Sequence, residues 1–268
     1  MINRGNRMQN GKHSTPRSAL AAVIMAAGKG TRMKDPSRAK VMYEVNQKPM
    51  IHSVVDLAYA LDARRVIVVV GHQADTVEAY LRESHSDIEC VLQEQQLGTG
   101  HAVLQARALL EGFTGSVVVL SGDVPLLRQS TMERLLRHHE ETGATATILT
   151  AALADPTGYG RIIRNSHALV ERIVEHRDAN DEERAVNEIN SGIYVFDNGR
   201  LFDALTHISA HNAQNEYYLT DVFEYFWKHD WKVSALIAQD PMEIRGVNTP
   251  EQLEEARVAA LALERAAS

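Results

Sequence analysis

A chain of 268 residues, 44% hydrophobic and 24% charged, has an ordinary soluble globular composition and enough length to bury a substantial core. Its formal net charge of -7 removes any electrostatic case for binding duplex nucleic acid or an anionic membrane surface. The single cysteine, Cys90, excludes an intrachain disulfide, and no apolar run approaches the roughly 20 residues of a membrane helix.

Residues 1–18 are polar and basic, without the apolar stretch of a secretory signal, and read as a flexible tail. A reducing cytoplasm is the expected location. LAAVIMAAG, residues 20–28, is an apolar run closed by glycine, the pattern of a buried parallel strand. A glycine-rich, cationic loop follows from Gly28 to Lys40. Ile51, Val54, Val55, Ala58 and Leu61 recur at helical spacing, predicting a helix over Met50–Leu61. RRVIVVVG (64–71) is a second buried strand, 74–83 a helix and IECVL (88–92) a third strand. A further helix starts near Thr99. SVVVLSGD (116–123) is a fourth strand, and a polar-faced helix covers about Ser130 to Thr142.

Strands alternating with helices through residue 143 predict an α/β fold: a Rossmann-like, mostly parallel sheet with helices on both faces. Such sheets place ligands at the carboxyl ends of their strands, so the loops after Met25 and Leu120 are the first places to look. After Thr145 the rhythm changes. TATILTAAL, GRIIRN and ALVERIVEH read as adjacent extended segments joined by short turns, a meander forming a small β-rich portion. INSGIYVF (189–196) is one more core strand, Glu216–His229 a helix and KVSALIA (232–238) a strand. Thr249-Pro250 opens a final helix, with proline in its first turn. One domain is expected over 19–268, its halves meeting near residue 143.

Glycines in AAGKGTRM let the backbone turn tightly and approach a phosphate, so that N–H groups point at the anion. Lys29, Arg32 and Lys40 add positive charge. A dinucleotide fingerprint needs a third glycine where Met33 stands, and a Walker loop needs a Gly-Lys-Ser/Thr that is absent. By itself Gly-x-Gly after a strand also fits a plain strand–helix turn.

Nine segments stand in order from Ala21 to Leu253. They are MAAGKGTRM (25–33), AKVM (39–42), VLQEQQLGTGHA (91–102), SGDVPLL (121–127), DPTGYGRI (155–162), IVEHRDA (173–179), EINSGIYVF (188–196), NAQNEYYLTD (212–221) and GVNTPEQL (246–253). Together they resemble the uridylyltransferase domain of the bacterial bifunctional enzyme that makes UDP-N-acetylglucosamine, a nucleotide-diphospho-sugar transferase fold. The resemblance implies uridylyl transfer from UTP to N-acetylglucosamine 1-phosphate with Mg2+, releasing pyrophosphate and supplying nucleotide sugar for cell-wall biogenesis. Residues 19–143 would be the nucleotide half, 144–250 the sugar-phosphate half and 251–268 a C-terminal helix.

By the same resemblance, Met25, Ala26, Ala27 and Gly28 line the nucleotide site, while Gly30, Thr31 and Arg32 cradle phosphates. Lys40 contacts the phosphates, and Gln93, Gly98 and Thr99 hold the uracil. Ser121, Gly122 and Asp123 sit at the ribose and metal. Gly160, Glu175, Asn190, Tyr218 and Thr220 surround the sugar phosphate. Asp123 and Asn248 hold the magnesium. Arg32, Lys40 and Asp123 are the expected catalytic set. Without the resemblance, Asp123 reads first as a turn-shaping residue, Glu175 as pairing with Arg172 or Arg177, and Asn190 as a strand-end cap.

Three departures stand out. Arg38-Ala39 replace the usual Leu-Pro before the lysine, and Ser121 stands where tyrosine is often found. The hexapeptide-repeat acetyltransferase half is missing, so acetyl transfer and its trimerisation surface are not expected. Alternatives are a nucleotidyltransferase for glucose, glucosamine or mannose 1-phosphate, and a non-catalytic regulator that binds nucleotide sugars. Neither nucleic acid nor membrane is an expected partner. His138, His139, His207 and His211 are expected on solvated faces, His101 as a loop stabiliser, Cys90 as an inert core residue, and 178–188 as a solvated loop or helix.

Overall fold

The computed structural model describes residues 18–35 and 37–267; the tail expected over 1–18 lies, but for Ser18, outside the described residues. In chain order the elements are β1 (Leu20–Ala26), β2 (Glu44–Val45), β3 (Lys48–Pro49), α1 (Met50–Ala60), β4 (Arg65–Val70), α2 (Ala74–Ser84), β5 (Glu89–Leu92), α3 (Thr99–Leu104), β6 (Ser116–Ser121) and α4 (Gln129–Thr142). They continue with β7 (Ala146–Ala152), β8 (Arg161–Arg164), β9 (Val170–Val174), α5 (Asp181–Arg184), β10 (Glu188–Asp197), α6 (Asn198–Leu205), α7 (Asp221–Lys228), β11 (Val233–Ile237) and α8 (Pro250–Ala267).

The main sheet runs β11-β7-β10-β6-β1-β4-β5. β1 lies between β4 and β6 and is parallel to both, with Ile24 opposite Val68 and Leu120. β10 is the reversed strand, antiparallel to both β6 and β7. The sheet is therefore mostly parallel. The inner strands are apolar at successive positions because both of their faces are covered. Ala22, Ile24, Val68 and Leu120 pack with α1, α2 and α4 on one side. Ala21, Val23, Val69 and Val119 pack with α3, α6 and α7 on the other.

The second half departs from the expected meander. β7 is buried along nearly its whole length, which suits an interior position, and it inserts between β10 and β11. Of the three segments expected to form the meander, β8 and β9 alone pair as a hairpin, closed by Asn165, whose side chain accepts from the backbone N–H of His167 and Leu169. That hairpin joins the sheet where Arg161 meets Ile189. The expected helix over Glu216–His229 begins only at Asp221. Tyr217 is pulled out of helical geometry: its N–H donates to Leu97 O (2.7 Å) and its carbonyl accepts from Gly100 N (2.8 Å). α6 and the β2–β3 hairpin were not foreseen.

α8 folds back onto the first half of the chain. Leu253, Ala256 and Ala260 bury against Met33, Val45, Met50 and Leu126, forming a third apolar cluster. Among the described residues, no helix is long and apolar enough to cross a membrane.

Candidate active site

The loop after β1 is shaped by Gly30. Its φ of 61° is left-handed, and a Cβ there would stand 2.6 Å from Lys40 Cβ. Glycine thus serves both the turn and the close passage of Lys40. Met33 then buries under α8, which anchors the short helical turn Thr31–Met33 and holds Arg32 at the mouth of the cleft. Lys40 opens a second such turn, pinned by buried Val41.

Four side chains converge beyond the carboxyl ends of β1 and β6. The Lys40 ammonium donates to Asp123 Oδ2 and, at 2.9 Å, to Asn248 Oδ1. Arg32 Nη2 donates to the same Asn248 oxygen at 2.9 Å. Asp123 is placed by the turn that ends β6, and its carbonyl accepts from Val247 N (2.9 Å), which ties the segment before α8 to this turn. Asn248 N in turn donates to Gln252 Oε1 at 2.8 Å.

Two cavities meet here. One, of about 500 Å3, is lined by Met25, Ala26, Ala27, Gly28, Lys29, Lys40, Gln93, Gly98, Thr99, Ser121 and Asp123 among others. The other, of about 400 Å3, is lined by Arg32, Gly160, Glu175, Asn190, Thr220, Asn248 and Gln252 among others. Met25, Thr99, Ser121 and Asp123 line both. The result is one cleft with two lobes and the cation-bearing cluster at their junction.

In the first lobe, buried Gln93 is held by both of its amide hydrogens. Its Nε2 donates to Gly98 O (3.1 Å) and to His101 Nδ1 (3.0 Å). His101 is thus a positioning residue for Gln93. Gly98 has φ 112°, and a Cβ there would lie 2.6 Å from Tyr217 O, so the 98–100 turn clasps the 217 backbone only with glycine. Thr99 Oγ1 accepts from Leu219 N at 3.0 Å.

In the second lobe, Glu175 pairs with neither arginine weighed from the sequence. Arg172 bonds Glu183 and Glu171, while Glu175 Oε1 accepts from Thr220 Oγ1 at 3.1 Å. Burial pushes the Glu175 carboxyl up; the Thr220 bond opposes this, and nearby Asp178 adds to it. Asn190 stands where β10 bulges: the register against β7 shifts between Asn190 and Tyr194. Its Nδ2 donates to Tyr194 OH (2.7 Å) and its Oδ1 accepts from Gly192 N (3.2 Å).

Some expected residues stand elsewhere. Gly30, Thr31 and Gly122 line neither lobe; Gly122 sits over Ile51 of α1, and Thr31 is exposed. Tyr218 does not line the second lobe. Its hydroxyl donates to Asp178 Oδ2 (3.2 Å), and it lines a cavity of about 450 Å3 that shares only Glu175 with the cleft. Of the departures, Arg38 turns away, with its guanidinium 5.3 Å from the Tyr43 ring centre, and Ser121 lines both lobes. Gln252 was missed, although it sits four residues after Asn248 within a quoted segment. Cys90 is half-buried, and burial pushes its thiol up to about 11, in keeping with an inert residue. His139 corrects the solvated reading: it is buried, its Nδ1 lies 2.9 Å from Thr147 Oγ1, and burial lowers its pKa to about 4.

The family model described as "Nucleotidyl transferase" matches residues 21–242. The chain is 50% identical over 227 residues to "Bifunctional protein GlmU" of Halalkalibacterium halodurans, covering 85% of this chain and 49% of that protein. It is 50% identical over 239 residues to the protein of the same name from Brevibacillus brevis, covering 89% and 51%. It thus spans about half the length of these relatives. A solved UDP-glucose pyrophosphorylase complexed with UDP-glucose superposes with a TM-score of 0.74 at 20% identity, over 91% of this chain and 99% of that one, which shows the common fold. With a family model spanning most of its length and the expected cleft at the carboxyl ends of its strands, the chain belongs to the nucleotidyl transferase family.

Proposed function

We propose that this chain transfers a uridylyl group from UTP to N-acetylglucosamine 1-phosphate. The observation that carries the reading is the meeting of Lys40, Arg32, Asp123 and Asn248 at the junction of two lobes. One lobe suits a nucleotide and the other a sugar phosphate. The identity to proteins named as bifunctional GlmU supports the choice of substrates, and the proposal concerns only the half of those proteins that the chain matches.

Lys40 and Arg32 provide the charge that a triphosphate and a sugar phosphate need in order to approach each other. Lys40 gives up Asp123 for phosphate oxygens once the nucleotide enters, and Arg32 steadies the departing pyrophosphate. A phosphate oxygen of the sugar attacks the α-phosphorus in line, and the bond from that phosphorus to the α,β-bridging oxygen breaks. The nucleophile is already anionic, so positioning and charge neutralisation are the main demands on the protein. Gln93, with both amide hydrogens engaged, offers its carbonyl to a ring N–H, as uracil N3 presents and cytosine N3 does not. Glu175, Asn190 and Thr220 would receive the hydroxyl and acetamido groups of the sugar.

Asp123 and Asn248 suit magnesium. Both aim oxygens at one cation, the Lys40 ammonium, and hard oxygen donors in a sparse protein set are what Mg2+ takes alongside phosphates and waters. When bound, the ion would neutralise charge on the phosphates.

The test is pyrophosphate release from UTP with a panel of N-acetylglucosamine, glucose, glucosamine and mannose 1-phosphates. Release fastest with the N-acetylated sugar is expected. Preference for another sugar would replace the substrate assignment, and no release with any of them would favour a binding-only protein. Asp123→Ala is expected to lower kcat by roughly a hundredfold or more. Glu175→Ala and Asn190→Ala should raise KM for the sugar phosphate more than for UTP.

A further inference from the structure

Away from the cleft, α1 and the residue that follows α2 bring together His52, Asp56 and His85. One ligand atom from each lies within 4.8 Å of the other two, and this is the one such trio of His, Cys, Asp or Glu among the described residues. None of the three lines either lobe. His52 and Asp56 share a face of α1 by their four-residue spacing. His52 Nε2 lies 3.3 Å from Asp56 Oδ2, and His85 Nε2 lies 3.0 Å from Asp56 Oδ1.

The rear of each ring is also held. Tyr80 OH is 2.9 Å from His52 Nδ1, and Ser84 Oγ is 2.9 Å from His85 Nδ1. His85 further stacks on Tyr59, with centroids 5.4 Å apart and planes 7° from parallel. Metal-bound imidazoles are oriented in this way, by an oxygen on the nitrogen that does not bind. Both histidine side chains are largely covered, at 15% and 12% exposure, while Asp56 is 49% exposed, which leaves the group open on one side.

Bonds of zinc length in a tetrahedron separate neighbouring ligand atoms by about 3.3 Å. The two contacts, each to a different oxygen of Asp56, stand within a few tenths of that, so a small turn of the carboxylate brings one oxygen to face both rings. Two imidazoles and a carboxylate select zinc-like ions over magnesium or calcium. Lys48 Nζ, 3.5 Å from Asp56 Oδ2, is the competing cation, and its side chain is exposed and able to swing away. We infer that His52, Asp56 and His85 bind one zinc-like divalent ion, with a fourth position open to water, that staples α1 to the end of α2. The inference is independent of the proposed reaction. Its mechanical consequence is local: α1 carries Ile51, which packs directly against Gly122 beside the cleft.

The experiment titrates metal-free protein with Co2+, followed by visible absorption, then displaces it with Zn2+ followed by calorimetry. Asp56→Asn and His85→Gln are compared, together with Asp123→Asn to remove the carboxylate from the oxygen site of the cleft. One equivalent of Co2+ with the absorption of a low-coordinate site, displaced by Zn2+, is expected in wild type and in Asp123→Asn. The other two variants should bind it at least roughly a hundredfold more weakly. At a hundredfold excess over Kd, Zn2+ should raise the wild-type Tm by roughly 5–10 °C. Absence of the cobalt spectrum in wild type overturns the inference, as does an equivalent retained by both Asp56→Asn and His85→Gln.

Discussion

Lys40 and Gly30 show how closely the cleft is fitted at the scale of single residues. Gly30→Ala places a methyl against the lysine stem and forces a left-handed φ on alanine, at about 1–2 kcal/mol from the backbone alone. A lower Tm and at least a roughly tenfold loss in kcat/KM are expected, because the displaced stem carries the ammonium away from Asp123. Lys40→Met keeps the stem and removes the charge, so its loss should fall on turnover with little change in Tm. Steady-state kinetics beside thermal melts distinguish the two. Most of this neighbourhood was legible, since the glycine loop, its cations and Asp123 follow apolar strands directly. The double engagement of Gln93 was not, because it depends on His101 turning a particular nitrogen toward it. Nor was the bond by which Asp178, 40 positions away, takes the Tyr218 hydroxyl.

Among the elements, the buried parallel strands declared themselves because an inner strand must be apolar on both faces. The start of α7 did not, since a backbone bond across the fold from Leu97, rather than local propensity, keeps Tyr217 extended. β7 likewise found its partners by burial and not by proximity in the chain. α8 links structure to chemistry most directly: it packs through Leu253, and the segment before it carries Asn248. Leu253→Ala should cost about 2–4 kcal/mol and also depress activity, as docking of the helix loosens. The checks are chemical denaturation and the pyrophosphate assay at a temperature where the variant stays folded.

Across the whole molecule, two groups on helices that cover opposite faces of the sheet work against each other in acid. Asp221, at the start of α7, is pushed up to about 6, chiefly by burial and then by Glu175. The stability it allows below pH 3.8 is lost as pH rises through about 6. His139, held neutral by burial with a pKa of about 4, behaves oppositely: its contribution is present above pH 6.5 and is lost as pH falls toward 4. Relative to wild type, Asp221→Asn should gain stability as pH rises, reaching roughly 1–2 kcal/mol above pH 6. The difference for His139→Gln should instead move in its favour as pH falls through the same range. Melting curves from pH 4 to 7 on the three proteins give both profiles, and slopes of the same sign would contradict the assignment.

The bond from Lys40 to Asn248 spans 208 positions of chain. A ribosome must therefore deliver almost the entire described polypeptide before the oxygen pair exists at all. A nascent chain that has already built its central strands holds the glycine loop and Asp123 but not the asparagine that faces them. Competence for phosphate chemistry thus waits on the segment just before α8, after the central strands have been made.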